Sequence, residues 1–419
     1  MAKFNPFRPG SIVTPGMFAG RLTELEGTER ALNQTKHGNP HHFLIQGERG
    51  IGKSSLLFSL EYVAKSRVES LEGEKFNFLT ISIVLEPSTT YHDIIQKVGN
   101  GLRKEASNFS PVGEAAKATW DFLKRWEIAG VKYADPSSAP KPSELLDELT
   151  DSVERSLAQY GAQIDGILIL IDEADKAPVA ANLGEFVKIF TERLTKRGCN
   201  RVCLGLAGLP SVLQNLRQSH ESSTRIFEIY TLEPLLHDER IRVLESGLAE
   251  AKETNGYEVT INDDAKNLIS TLSEGYPHFL QQFAYSAFNQ DSDNSIDQSD
   301  VFRGALDETG ALFQLGVKYF HELYFDQIGA DEYRDVLRAM AENLDAWTTK
   351  AEIRKKIKIK ESTLNNAINA LKKRHIIVAK PGVSGTYKLP TRSFAVWIRA
   401  FTTARQEIPL ASPTAAPVS

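Results

Sequence analysis

The spacing of apolar residues changes period several times along the chain, and each change marks an element. Over 21–36, Leu22, Leu25 and Leu32 stand among polar neighbours in a helical pattern. His42-Phe43-Leu44-Ile45 is a short apolar run that ends at a glycine-rich turn, which predicts a buried strand. Leu56, Leu57, Leu60 and Val63 predict a helix over 54–64. Phe76 to Leu85 alternates and is rich in β-branched residues, as strands are. The stretch 88–160 has a helical pattern, broken by the proline-rich segment 136–142, and its Trp120, Phe122 and Trp126 read as core aromatics. Gly166 to Ile171 is continuously apolar, the mark of a central parallel strand covered on both faces. A helix over 183–197 and a strand over 201–206 follow. This alternation predicts an α/β fold with a parallel sheet.

Beyond it, 237–327 is helical in pattern, with breaks at Gly275-Tyr276-Pro277 and at 291–294. From 331 onward come three short helices and a hairpin-like end. The expected organisation is an α/β domain over 1–235 with a helical insertion at 88–160, then a helical lid domain over 236–328. A small helix-and-hairpin domain over 329–405 and a disordered tail over 406–419 complete it. The breakers Pro6, Pro9, Gly10, Pro15 and Gly16 make residues 1–17 an extended arm.

Composition narrows the class. The 419 residues suit two to four domains, and 41% hydrophobic with 25% charged is ordinary for a globular chain. No apolar run approaches the ~20 residues that span a bilayer, and no secretory signal is visible. Two cysteines exclude a disulfide scaffold and point to a reducing compartment, so a cytoplasmic protein with no membrane partner is expected. Cys199 and Cys203 have no third metal ligand near in sequence and read as buried, inert thiols.

Gly47-Glu48-Arg49-Gly50-Ile51-Gly52-Lys53-Ser54 fits G-x-x-x-x-G-K-[ST] in full, with Ser55 next to it. The spacing has a chemical reason. Glycines let successive backbone N–H groups turn inward around a phosphate, and the helix that follows points its positive end at the anion. Lys53 reaches the β- and γ-phosphates of ATP, and the Ser54 hydroxyl ligates Mg²⁺. A strand before the loop and an amphipathic helix after it supply the required context.

The apolar run 167–171 ends in Asp172-Glu173. Carboxylates at the end of a buried strand complete such a site: Asp172 holds Mg²⁺ through water, and Glu173 polarises the attacking water. The pair favours hydrolysis over mere nucleotide holding. The letters Asp-Glu-Ala-Asp at 172–175 coincide with a helicase signature, but no Ser-Ala-Thr follows and only one P-loop is present.

Phe18-Ala19-Gly20-Arg21-Leu22-Thr23-Glu24-Leu25 resembles the Phe-x-Gly-Arg-x-x-Glu-Leu segment that opens many AAA+-related ATPases. These include the STAND signal-transduction ATPases, notably the archaeal-ATPase branch, and the origin-recognition initiators. The resemblance implies a P-loop sheet, a helical lid and a C-terminal winged helix-turn-helix, with Gly20 and Arg21 over the adenine. The stretch Arg201 to Pro210 resembles the family's strand after the acidic one, with Gly205 and Gly208 where a sensor polar side chain is expected. Ser223-Thr224-Arg225-Ile226-Phe227, leading to Leu232-Glu233-Pro234-Leu235, is similar to a segment of transposition-regulator ATPases. That likeness makes Arg225 a candidate arginine finger for a neighbouring subunit, against a plain surface or interdomain arginine. Gly275-Tyr276-Pro277-His278 resembles the turn that opens the lid helix, which implies that Pro277 lies near the adenine.

The whole chain carries −5, yet 350–380 holds ten basic residues against Glu352 and Glu361, a local +8. Its helices and hairpin resemble a winged helix-turn-helix. Leu364, Ala367, Ile368 and Leu371 make the core stripe of its third helix, and Ser362, Asn366, Asn369 and Lys373 the opposite face. Such a face suits a DNA major groove, with Lys355, Lys356 and Lys358 on phosphates. The same surface suits a protein contact. Two functions follow. One is an ATP-dependent switch, assembling as a nucleotide-dependent homo-oligomer, that couples hydrolysis to double-stranded DNA binding, as initiators and transposition regulators do. The other is a STAND-type signalling or defence ATPase whose winged helix contacts protein and which acts with a separately encoded partner.

Overall fold

The structure is a computed structural model and describes residues 3–11, 20–109, 141–344, 347–374 and 376–402. Trp120, Phe122, Trp126, the tail 406–419 and Phe18-Ala19 lie outside the described residues. The chain divides into two compact units, Gly10–Val243 and Met1–Pro9 with Leu244–Ser419.

The first unit is built on five parallel strands. They are β1 (His42–Gln46), β2 (Phe78–Val84), β3 (Gly166–Asp172), β4 (Val202–Gly208) and β5 (Phe227–Thr231). Their spatial order is β2-β3-β4-β1-β5. Around them stand α1 (Leu22–Lys36), α2 (Lys53–Ala64), α3 (Tyr91–Phe109), α4 (Pro142–Tyr160), α5 (Leu183–Lys196) and α6 (Val212–Ser219). Side chains alternate across the sheet. Ile81, Ile169 and Leu204 point into one core with Val98, Leu149 and Phe190 of α3, α4 and α5. The intervening Thr80, Leu168 and Cys203 are buried as well, so the central strands are covered on both faces, as their unbroken apolar runs require. Parallel order puts every carboxyl end on one edge of the sheet, and β1 and β3 both deliver their loops there.

α7 (His237–Asn255) runs across the division. The second unit continues with β6 (Thr260–Ile261), α8 (Asp263–Ser273), α9 (Pro277–Gln290), β7 (Ser295–Ile296), α10 (Gln298–Leu306) and α11 (Ala311–Leu315). Two π-helical turns follow, Gly316–Phe320 and Glu322–Asp326. Then come α12 (Asp331–Ala341), β8 (Thr348–Thr349), α13 (Lys350–Lys356), α14 (Glu361–Lys373), β9 (Val378–Ala379), β10 (Thr386–Lys388) and α15 (Arg392–Phe401). Three helices closed by the small sheet β8-β10-β9 have the element order of a winged helix-turn-helix.

That module is locked to the helices before it by aromatic rings. Phe320 packs on Phe394 at 5.1 Å and on Trp397 at 5.9 Å, and Tyr324 meets Trp397 edge-on at 5.6 Å. Glu274, in the turn before α9, accepts the Arg392 N–H at the start of α15, and Ser393 Oγ donates to Leu272 O. The amino-terminal arm joins the same unit. Phe7 is buried against Phe288, Phe4 exchanges two hydrogen bonds with the Asn255 side chain, and Lys3 is ion-paired with the buried Asp291. Among the described residues no helix is long and apolar enough to cross a membrane.

Candidate functional site

The loop Gly47–Gly52 leaves the end of β1 and enters α2 at Lys53. Gly50 has φ +79° and Gly52 φ +101°, both in the left-handed region that admits glycine. Gly47 N–H is anchored to Gly208 O on β4 at 3.3 Å. The amino end of α2 carries no side-chain cap and no acidic residue in its first turn, so its N–H groups face outward for an anion.

Lys53 folds its ammonium back onto the loop, donating to Gly47 O at 2.8 Å and Glu48 O at 3.0 Å. Burial pulls its pKa below the ordinary lysine value, opposed by Asp172, Asp175, Glu173 and Glu48. Beside it, β3 ends at Asp172, whose carboxylate accepts the Ser54 hydroxyl and the Glu173 N–H, the latter at 2.8 Å. Burial raises the Asp172 carboxyl above its usual range. Lys53, Ser54, Asp172 and Glu173 thus converge although α2 and β3 are distant in sequence. Glu173 is half-exposed and ion-paired with Lys176 at 3.1 Å.

Arg21 closes the loop from the side. It is buried, and its Nη2 donates to Ile51 O at 3.1 Å. Burial depresses its guanidinium, offset by Glu24, Glu239 and Glu233. Glu239, on α7, accepts the Arg21 and Leu236 N–H groups at 3.3 and 2.7 Å. The sequence pattern gave no signal for Glu239, because a first-turn acid on an amphipathic helix is common. Arg21 therefore joins the P-loop through Ile51, while Gly20 packs beside Glu239 and Leu235.

β4 carries no polar side chain toward the site. A Cβ at Gly205 would lie 2.3 Å from the Phe43 ring, and one at Gly208 would lie 2.8 Å from Asp175 Oδ1. A side chain at either position would force its neighbour to shift. In the sequence Asp175 reads only as the last letter of a coincidental motif.

Arg225 is not brought to this edge. It lies in a 3₁₀ turn before β5, whose first residue Phe227 pairs with His42, so Arg225 is exposed at the edge of the sheet opposite its own P-loop. Pro277 opens α9 as the first helical residue after Tyr276, in the second unit. On α14, Leu364, Ala367, Ile368 and Leu371 are buried, while Ser362, Asn366, Asn369 and Lys373 are exposed. Lys355, Lys358 and Lys373 make no ion pair among the described residues, whereas Lys356 pairs with Glu342 at 2.8 Å. Both cysteines are buried and free, and burial pushes Cys203 up to about 12.

The loop, the acidic strand end and the sheet order are those of a P-loop nucleotide-binding fold. Residues 17–186 match the profile of the AAA ATPase domain, and the chain carries that domain. An uncharacterized HTH-type transcriptional regulator of Methanocaldococcus jannaschii is 24% identical over 399 residues, 92% of this chain and 90% of its own. The Walker-type ATPase of Pyrococcus abyssi has a similar fold, with a TM-score of 0.52 and 18% identity over 91% of this chain and 96% of its own. The Aeropyrum pernix ORC2 protein, solved as ADPNP–ADP complexes, gives 0.54 with 15% identity over 94% and 96%.

Proposed function

We propose that this chain is an ATP-driven switch that binds double-stranded DNA through its winged helix. In this reading ATP hydrolysis resets the protein between two DNA-binding states. The observation that carries it is the outward face of α14. Ser362, Asn366, Asn369 and Lys373 are exposed together, in a segment of local charge +8 where Lys355 and Lys358 make no ion pair among the described residues. Unpaired cations beside small amide side chains suit a phosphate backbone and base edges.

The catalytic part follows from the P-loop geometry. The uncapped start of α2 and the loop N–H groups bind the phosphates. Lys53 leaves Gly47 O and Glu48 O to meet the β- and γ-phosphates. Ser54 and Asp172 already share a hydrogen bond, so two hard oxygen donors stand where Mg²⁺ is expected, and this donor set fits the ion. Held by Ser54 and Asp172, the ion would supply charge neutralisation at the transferring phosphoryl group. Glu173 accepts the proton of the attacking water. Arg21 holds the loop through Ile51, and Gly20 and Arg21 together would flank the base. Arg225, exposed and remote from its own loop, is suited to act on the nucleotide of a neighbouring copy in a homo-oligomer.

The test is ATP turnover with and without duplex DNA, with Glu173→Gln as the blank. Stimulation by DNA is expected. Slow turnover that ignores DNA and retains ADP would replace this reading with the STAND-type one, in which the winged helix contacts a separately encoded protein.

A further inference from the structure

Glu173 stands on strained backbone. Its φ is +54°, a left-handed value that side-chain-bearing residues rarely adopt. Such a conformation persists only where its surroundings over-determine it. Asp172 Oδ1 accepts the Glu173 N–H at 2.8 Å, and Lys176 N–H returns to Glu173 O at 2.9 Å. Ala174 N–H donates across to Ala207 O on β4 at 2.8 Å. The last fastening comes from Asp175. Its Oδ1 accepts Leu209 N–H at 2.8 Å, and its carbonyl accepts Asn215 Nδ2 at 3.1 Å. Its carboxylate fills the space that a side chain at Gly208 would occupy. The end of β4 is therefore polar, but its polar group is lent by the turn after β3.

We propose that Asp175, braced by Asn215, is a positioning residue for hydrolysis. It fastens the turn Asp172–Lys176 to the end of β4 and to α6, and so keeps the Glu173 carboxylate in one orientation for the attacking water. This rests on the ATPase reading above, in which Glu173 is the base. A group that acts only through Glu173 has a distinctive signature. Its loss lowers kcat and leaves nucleotide affinity alone, and it adds nothing once Glu173 is gone.

The experiment pairs nucleotide titration, with a fluorescent ATP analogue, with single-turnover hydrolysis on Asp175→Ala, Asp175→Asn and Asn215→Ala. Each is made alone and in the Glu173→Gln background, with thermal melting alongside. Asp175→Ala is expected to bind within about 3-fold of the parent and to hydrolyse roughly 10- to 100-fold more slowly. Asn215→Ala falls in the same direction by less. Asp175→Asn, whose Oδ1 still accepts the Leu209 N–H, recovers most of the rate, and no variant slows the Glu173→Gln protein further. The proposal is overturned if Asp175→Ala hydrolyses at the parent rate while Glu173→Gln is dead. It is equally overturned if Asp175→Asn is as slow as Asp175→Ala, or if affinity and rate fall together. Normal turnover by Glu173→Gln would instead remove the reading on which it rests.

Discussion

Lys53 and Asp172 show what burial does to a charge that must wait for its ligand. Each sits in a partly dry site, and burial pulls its pKa toward the neutral form. The lysine is satisfied meanwhile by two loop carbonyls. Lys53→Ala is expected to weaken ATP binding by about 100-fold or more, from the loss of charge-assisted bonds to phosphate, read by titration calorimetry. Asp172 has the opposite balance between fold and function. Its carboxyl binds a proton more tightly folded than unfolded, so its contribution to stability is full below the ordinary value of 3.8 and is lost as pH rises through the raised folded value. At neutral pH the ionised group therefore strains the fold that it serves. Asp172→Asn should melt higher than the parent at pH 7, with the difference vanishing in acid, while Mg²⁺-dependent hydrolysis disappears. A lower melting point at pH 7 would mean that Ser54 and Lys53 more than offset the burial.

Elements differ in how openly the sequence announces them. β3 and α2 were legible because one is apolar throughout and the other sets Leu56, Leu57, Leu60 and Val63 at helical spacing, and these residues are buried as the patterns require. β5 was not. It is an edge strand with one buried residue, Phe227, ahead of exposed Glu228 and Ile229, so neither alternation nor an apolar run marks it. The P-loop and the acidic strand end were legible as motifs because phosphate chemistry demands fixed residue types at fixed spacing. Glu239 and Asp175 were not, since each acts by accepting a backbone N–H from a distant segment, and any acid at that point in the fold would look the same in sequence. Glu274 belongs with them. Its carboxylate caps α15 from the turn before α9, across more than a hundred residues of chain. Glu274→Ala should destabilise the protein by about 1 kcal/mol, the value of a lost helix cap, and Glu274→Gln by less, both measured by denaturant melts.

Across the whole molecule, charge is the property that separates parts. The chain is net acidic, yet the face of α13 and α14 is strongly basic, and the ion pairs there are unevenly spread. Lys350 and Arg354 are neutralised by Glu361 and Lys356 by Glu342, whereas Lys355, Lys358, Lys360, Lys372 and Lys373 are without an ion pair among the described residues. If this face meets phosphate, only the unpaired lysines release counterions fully on binding. Lys355→Glu with Lys358→Glu should therefore weaken duplex affinity at low salt and flatten the slope of log affinity against log salt by about two, close to one per lost phosphate contact. Lys356→Glu should change the slope less, because its ammonium is already spent on Glu342, and should act mainly by repelling that carboxylate. Equal effects from Lys356 and Lys355 would mean that the Glu342 pair breaks on binding. An unchanged slope in both would take the DNA surface away from α13 altogether.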